Sequence, residues 1–248
     1  MKWRYVLPLL LIAPAPWAGE QVEGIARPLA GGPEIYREEH VFSGSSHRID
    51  YLSPDGQRIA EKTLDYSCSD TAPAFEQTDL RDGERSGGAW SAEGYRLERG
   101  SESRLLESPE GELVASSGFD RYVRRHREAL AAGETLEFDF ALAERLGTLR
   151  LRIKREDAAE GIQAFRVEAA SALLRPFVPA IRLDYDDAGR LMRYRGLSNI
   201  DGPDGSPLQV EIRYSYLPAP APELAARTEP RAADTRTPSR SICPGQRI

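Results

Sequence analysis

Apolar and polar residues alternate along most of the chain between Ile35 and Tyr216. The clearest segments are LEFDFAL (136–142), TLRLRIKRE (148–156) and LQVEIRYSY (208–216). In each of them every second side chain is apolar, so the strand would present one apolar face and one polar face. This pattern is typical of an antiparallel sheet that packs one face on a core and leaves the other in water.

Turn-forming sequences separate these segments. SPDG (53–56), RDGE (81–84), SPEG (108–111) and DDAG (186–189) supply the backbone angles that tight reversals need. We therefore predict one antiparallel β domain over residues 35–216, with roughly ten strands at the close spacing of a barrel or sandwich.

One segment has a helical period instead. The apolar stripe of SSGFDRYVRRHREALAAGE has the spacing i, i+3, i+4, i+7 and i+11 and consists of Phe119, Tyr122, Val123, His126 and Leu130. Ser117 and Asp120 resemble a capping box, and Gly133 is placed to end the helix. The pattern predicts one amphipathic helix over 118–132, lying across or inside a curled sheet. The predicted fold class is thus mainly β: an antiparallel, partly open β-barrel with one amphipathic helix.

The N-terminus has the pattern of a secretory signal. Lys2 and Arg4 precede an apolar run over 5–17, and the small residue Ala18 follows it. The run is too short to span a bilayer, which takes about 17–25 residues. We therefore predict a signal peptide over 1–18, export to the periplasm and no membrane span.

The two segments that flank the β domain look irregular. Residues 19–34 contain Gly and Pro and predict a loose leader. Residues 217–248 are rich in Pro and Arg and poor in large apolar groups, which predicts a disordered tail. An oxidising compartment would let Cys68 and Cys243 form a disulfide if they meet in space, and the sequence leaves that pairing open.

Charge and composition exclude some functions. The formal net charge of −6 argues against binding to nucleic acid, whose phosphates an acidic protein repels. Arginine outnumbers lysine by 30 to 3, which indicates either anion recognition or codon bias in a GC-rich genome. The absence of a C-x-x-C motif and the presence of only three histidines argue against a metal or redox cofactor.

The stretch 183–205 is rich in aspartate, which is a common ligand of calcium. Counting a calcium loop from Asp184, position 5 is Ala188 and position 12 is Arg195, so two required oxygen ligands are missing. The stretch therefore predicts hairpin turns, and we expect no metal site.

No catalytic constellation is evident either. In SGSSH (43–47), Ser46 and His47 are neighbours that would point to opposite faces of a strand. Asp70-Thr71-Ala72 resembles an aspartic-protease turn, but it lacks the apolar strand before it and a second copy. We therefore expect the protein not to be an enzyme.

The predicted helix supplies the candidate ligand contacts. If it faces a cavity, Phe119, Tyr122 and His126 on its apolar stripe would line that cavity, although a histidine there is also common as a packed core residue. The helix also carries Arg121, Arg124, Arg125 and Arg127, which would form either an anion patch or a solvated face.

Three segments carry a resemblance to known families: GFDRYV with the following leucine (118–130), LEFDFAL (136–142) and DYDDAGRLMRYRGLSNI (184–200). With them the chain resembles uncharacterised exported β-rich proteins of Gram-negative bacteria, which are domains of unknown function. Its predicted architecture is similar to lipoprotein-carrier half-barrels of the LolA/LolB type, and DYDDAGRL resembles one unit of the YD repeat.

The pattern leads to two functional hypotheses. The first is a periplasmic protein that binds a lipid or another apolar or amphiphilic ligand between sheet and helix, because barrels of about eight strands can hold one small ligand. The alternative is a non-enzymatic protein-interaction module in cell-envelope assembly, which leaves the protein partner unknown.

Overall fold

The protein forms one large, mainly antiparallel β-sheet. The structure is a computed structural model and describes residues 21–106, 111–217 and Cys243. The strands are β1 (Gln21–Pro28), β2 (Tyr36–Ser43), β3 (Ser46–Leu52), β4 (Arg58–Asp65), β5 (Ala74–Asp79), β6 (Arg85–Ser91), β7 (Gly94–Arg99), β8 (Glu102–Leu105), β9 (Leu113–Ala115), β10 (Leu136–Leu142), β11 (Gly147–Glu156), β12 (Ile162–Ala169), β13 (Ile181–Asp186), β14 (Leu191–Leu197) and β15 (Gln209–Leu217).

The order of the strands shows how the sheet is assembled. It runs β8-β7-β6-β5-β4-β3-β2-β1-β15-β14-β13-β12-β11-β10-β9, and within the described residues only the β9–β10 pair is parallel. Two meanders, β1–β8 and β10–β15, are therefore joined in the middle by β1 and β15. The predicted antiparallel β fold is confirmed, but the fifteen strands of the described ranges exceed the predicted ten.

The prediction of a loose leader over 19–34 is wrong for Gln21–Pro28, which form β1. This strand pairs with β15 on one side and with β2 on the other. Its inward positions carry small side chains, including Gly24, where an added Cβ would lie 2.8 Å from the Tyr214 ring. The strand escaped prediction because a central strand covered by large neighbours needs small residues, and these weaken the apolar alternation.

Glycine also hid β6, whose sequence is RSGGAWS. A Cβ at Gly88 would lie 2.7 Å from the Tyr95 hydroxyl and 2.9 Å from the Phe75 ring. Two aromatic rings therefore pack directly against the Gly88 backbone. The Gly pair in this strand marks close packing and not a turn.

The sheet curls until its two ends meet. The Ala115 N–H on β9 donates to the Thr71 carbonyl, 2.9 Å away, and the Arg99 guanidinium on β7 donates to the Glu144 carbonyl, 2.8 Å away. Tyr95 of one end and Ala141 of the other belong to the same buried cluster. Side chains and isolated hydrogen bonds thus close the curl, because β8 and β9 pair only with β7 and β10.

The predicted helix is present as two short helices, α1 (Gly118–Arg125) and α2 (Arg127–Ala131), separated by a break at His126. The predicted stop at Gly133 is confirmed by its positive φ of 94°. The predicted capping box is not formed, because the Ser117 side chain makes no cap hydrogen bond and Asp120 pairs with Arg124.

Helix α1 packs on the concave side of the sheet. The ring centroids of Phe119 and Tyr122 lie 5.6 Å and 4.8 Å from that of Phe138 on β10. Val123 and Leu130 are buried in the same cluster, which also contains Phe165 of β12. The helix thus fills part of the interior and leaves the remainder open.

Ion pairs cover the convex face of the second meander. Glu168 accepts hydrogen bonds from Arg152 and Arg166, and Asp184 accepts from Arg182 and Arg193. Both carboxylates are buried beneath these guanidinium groups. Much of the arginine in this half therefore serves cross-strand pairing.

Cys68 is bonded to Cys243, with 5.0 Å between their Cα atoms. Apart from Leu217 and Cys243, the predicted disordered tail 217–248 lies outside the described residues, as does the predicted signal peptide 1–18. Among the helices that the structure describes, none is long and apolar enough to cross a membrane.

We predict that Glu168→Gln lowers the free energy of unfolding at pH 7 by about 2 kcal/mol. Burial alone would raise the pKa of Glu168, but hydrogen bonds from Arg152 and Arg166 outweigh it and lower the pKa to about 2. The carboxylate therefore stabilises the fold above pH 4.5, and this contribution disappears as the pH falls toward 2.

Urea unfolding at pH 7 and pH 3 would measure the effect of Glu168→Gln. Glu137→Gln is the matched control, because Glu137 pairs with Arg150 on the same face but is about half exposed. We expect the control to change stability by less than about 1 kcal/mol. Equal losses in the two variants would contradict the prediction.

Candidate functional site

The concave face of the sheet and helix α1 enclose an open cavity of about 1260 Å³. This volume exceeds the range of about 300–1,000 Å³ that is typical of small-molecule sites. One wall is apolar and comes from α1 and from β10–β14. Its lining side chains are Phe119, Phe140, Leu142, Leu149, Leu151, Val167, Ile181, Leu183 and Leu191.

The opposite part of the cavity is polar. It is built by β2, β3, β4 and β15, whose inward residues include Glu38, His40, His47, Lys62 and Tyr214. The strand register places these side chains on one face, because His40 pairs with Ile49 of β3 and Ile49 pairs with Lys62 of β4. We call these five residues the polar end of the cavity; four of them line it, and Glu38 is buried in contact with His40 and Tyr214.

Four members of the polar end form a hydrogen-bonded chain. The Tyr214 hydroxyl donates to Glu38 Oε2 at 3.0 Å, and His40 Nε2 lies 3.2 Å from the same oxygen. His40 Nδ1 in turn lies 3.0 Å from His47 Nε2. Among the described residues, Glu38 Oε1 and His47 Nδ1 have no hydrogen-bond partner although both atoms are buried.

His47 is held neutral. Burial lowers its pKa well below the ordinary value, and the charges of His40, Lys62 and Arg121 lower it further. A neutral imidazole has one donor and one acceptor nitrogen. His47 therefore contributes hydrogen-bonding capacity to the cavity without adding a positive charge.

Lys62 is the buried cation of the polar end. Its side chain faces the cavity with 3% of its surface exposed and has no hydrogen bond or ion pair within the described residues. Burial lowers the pKa of the amine to about 8, and the more distant carboxylates of Glu144 and Glu38 oppose this shift only in part. The amine is therefore largely protonated at pH 7 without a paired anion.

The arginines of the predicted helix divide into two groups. Arg121 lines the cavity with its guanidinium carbon 3.6 Å from the centroid of Tyr66, and it pairs with Asp70. Arg124 also lines the cavity and pairs with Asp120.

Arg125 lines the cavity as well and pairs with both Glu112 and Asp70. Arg127 has its partner elsewhere and donates to Gln163 Oε1 at 2.8 Å. The run is therefore neither one anion patch nor one solvated face.

Of the three predicted ligand contacts, only Phe119 lines the cavity. Tyr122 is buried against Phe138, and His126 lies at the break between the helices with Nε2 3.1 Å from Glu112 Oε2. Neither of these two residues borders the cavity, since Tyr122 packs towards β10 and the break between the helices places His126 beside Glu112. Ligand contact through Phe119 remains a prediction.

The polar end was not identified from the sequence, although β2 carried a signal. In YREEHVFS the inward positions are Tyr36, Glu38, His40 and Phe42, so two ionisable groups replace apolar ones on a face that is otherwise apolar. Charged residues at inward positions of a strand indicate a functional or paired site. A search for alternating apolar residues does not detect them, because they interrupt the apolar pattern.

Ser116 is the one serine with an unusual backbone among the described residues. It joins β9 to α1 with φ 48°, lines the cavity, and has a buried hydroxyl without a partner. Within the described part of the chain, no histidine or carboxylate hydrogen-bonds to it. It therefore lacks the base that a serine nucleophile needs.

The aspartate-rich stretch forms the expected turns. Asp186 accepts a hydrogen bond from the Arg190 backbone at 2.8 Å, and Asp204 accepts one from the Ser206 backbone at 3.1 Å. Gly189, with φ 78°, completes the first turn. No group of three metal-ligating side chains occurs within residues 21–106 and 111–217 or at Cys243.

Among solved structures, the chain has a shape similar to the following one. It is the crystal structure of a beta-barrel-like protein of domain of unknown function DUF1849 from Brucella abortus, at a TM-score of 0.47 and 8% identity. The likeness covers 81% of this chain and 94% of that one. No protein-family model and no curated protein matches the chain.

We predict that Lys62→Met raises the free energy of unfolding at pH 7 by about 3 kcal/mol. The folded protein holds the Lys62 pKa near 8 against an ordinary 10.5, so the buried charge destabilises it below pH 8. Wild-type stability should rise between pH 8 and 10.5, because the unfolded state binds more protons there. The advantage of the variant should shrink over the same range.

Chemical unfolding between pH 6 and 10.5 would test this. Lys154→Met is the control, because Lys154 is a partly exposed lysine that pairs with Glu168. We expect the control to lose less than about 1 kcal/mol. A destabilised Lys62→Met at pH 7 would instead mean that Glu38 or Glu144 fully compensates the charge.

Proposed function

We propose that this protein binds an apolar or amphiphilic molecule in the cavity between its curled sheet and helix α1. The observation that carries the proposal is the cavity itself, about 1260 Å³ in volume, with an apolar wall at one side and the polar end at the other. A core that only stabilises a fold is packed as densely as an organic crystal and leaves no such space. The volume suits a lipid-sized ligand.

The rim of the cavity supports the same function. Between β12 and β13 the chain forms an apolar flap, residues 171–180, in which Leu173 and Phe177 are 83% and 81% exposed. Phe177 and Val178 also line the cavity. Arg175 holds the base of the flap through hydrogen bonds to the carbonyls of Ala169 and Ala170. Exposed apolar residues at a cavity mouth fit a ligand that must leave a membrane or a carrier.

The proposal places the protein in the periplasm. Two observations support that location: the signal-like pattern of residues 1–18 and the disulfide between Cys68 and Cys243. Disulfides persist in the bacterial periplasm and are rare in the cytosol.

The apolar flap also favours a second candidate function, a non-enzymatic protein-interaction module. Leu173 and Phe177 form an exposed apolar surface of the kind that marks contacts with a partner. In both candidates the protein acts by binding and not as an enzyme.

We predict that Leu149→Glu weakens binding of the neutral apolar fluorophore N-phenyl-1-naphthylamine at least tenfold. Leu149 lies half-buried on the apolar wall, and a carboxylate there would have to lose water when an apolar molecule binds. Fluorescence titration of the purified protein measures the affinity. Val41→Glu, on the exposed outer face of β2, is the matched control and should leave the affinity unchanged. Failure of the wild type to bind the fluorophore would contradict the proposal.

A photo-crosslinking amino acid at position 177 separates the two functions in the host cell. We expect crosslinks to a lipid-sized molecule, detected by mass spectrometry as a defined mass increase. The same residue placed at Leu80, which is exposed away from the cavity, controls for random capture. A crosslink from position 177 to one defined protein, with no lipid adduct, would favour the interaction module.

A further inference from the structure

The ammonium group of Lys62 is buried at the polar end and borders the cavity. It has no hydrogen bond or ion pair among the residues that the structure describes. An ammonium has three hydrogens to donate and no acceptor of its own. We propose that Lys62 binds the anionic head group, a carboxylate or a phosphate, of the amphiphile in the cavity. This inference rests on the proposed function.

The neighbouring carboxylates do not pair with Lys62. Glu38 Oε2 accepts from the Tyr214 hydroxyl and faces His40 Nε2, and within the described residues neither oxygen of Glu38 lies within ion-pair distance of Lys62. Glu144, whose charge also acts on Lys62, is exposed on the 3-10 turn Ala143–Arg145 and lines the same cavity without forming an ion pair with Lys62. The positive charge of Lys62 is therefore directed at the cavity and not at a partner in the chain.

The contrast with the other buried charges of the fold strengthens the inference. Glu168 and Asp184 are each covered by several arginines on the convex face. Burying a charge without such a partner is strongly unfavourable. A chain that pairs Glu168 and Asp184 closely and leaves Lys62 open has a site that a ligand's anion would complete.

The position of Lys62 also orients the ligand. The apolar wall formed by β10–β14 lies across the cavity from β4, which carries Lys62. A molecule with its chain along Leu149 and Leu191 would place its head group among the residues of the polar end. There the neutral His47, whose Nδ1 has no partner, can contribute a further polar contact without a charge of its own.

Displacement of N-phenyl-1-naphthylamine by three single-chain ligands tests the proposal. Palmitate carries a carboxylate, hexadecyl phosphate a phosphate, and hexadecanol has the same chain length as both but no charge. All are used at pH 7 below the concentrations at which they form micelles. The wild type is compared with Lys62→Met, with Lys62→Arg, which keeps the charge, and with Lys154→Met, which removes a lysine outside the cavity.

We expect the wild type to bind at least one of the two acids about 10- to 100-fold more tightly than hexadecanol. The preferred acid identifies the head group. Lys62→Met should abolish the preference while binding hexadecanol as the wild type does. Lys62→Arg should keep part of the preference, and Lys154→Met all of it. Unchanged binding of hexadecanol shows that Lys62→Met is folded.

The head-group inference and the proposed function fail in different ways. If acids and alcohol displace the fluorophore equally in the wild type, or if Lys62→Met keeps the preference for an acid, Lys62 does not bind the head group. The cavity would still bind apolar ligands in that case. If neither the fluorophore nor any of the three ligands binds, both proposals are wrong.

Discussion

The structure depends on the pairing of β1 with β15. Eight residue pairs, from Gln21–Leu217 to Pro28–Val210, join two meanders that are far apart in the chain. Without this pair the protein would be two separate sheets, each with an apolar face that neither could cover. With it, fifteen strands twist as one surface. Since the twist of neighbouring strands accumulates in one direction, a sheet of this width must curl on itself.

The curl ends without backbone pairing between its outermost strands, and that explains the cavity. A barrel closed by hydrogen bonds fixes its diameter through strand number and stagger. Here the ends meet through side chains such as Tyr95 and through a few hydrogen bonds, so residues that line the inside set its width. Helix α1 fills the part near β10, and the polar end remains open on the side of β4. Apolar contacts and the Lys62 cation, which has no ion pair in the part of the chain that the structure describes, thus share a single interior.

The sequence predicted the parts of the fold that repeat a strong local pattern. Segments 136–142, 148–156 and 208–216 alternate regularly because each has a large apolar side chain at every inward position, and all three form strands. β1 and β6 were missed for the opposite reason, since their inward positions hold glycine that makes room for rings from neighbouring strands. No local pattern reports that requirement, because it arises from residues elsewhere in the chain. The same holds for the site. Phe119 lies on a periodic stripe and was predicted, whereas Lys62 and His47 can be identified as site residues only once the pairing of four strands is known.

The central position of β1 has a consequence for the order in which the protein can form. β1 leaves the ribosome nearly two hundred residues before its partner β15. Until that partner is made, one edge of β1 can pair with β2, and its other edge presents free amide and carbonyl groups. Contacts of such long range slow folding, and an open edge invites pairing with another chain. Until β15 has been synthesised, the free edge of β1 therefore exposes the nascent chain to association with its own copies.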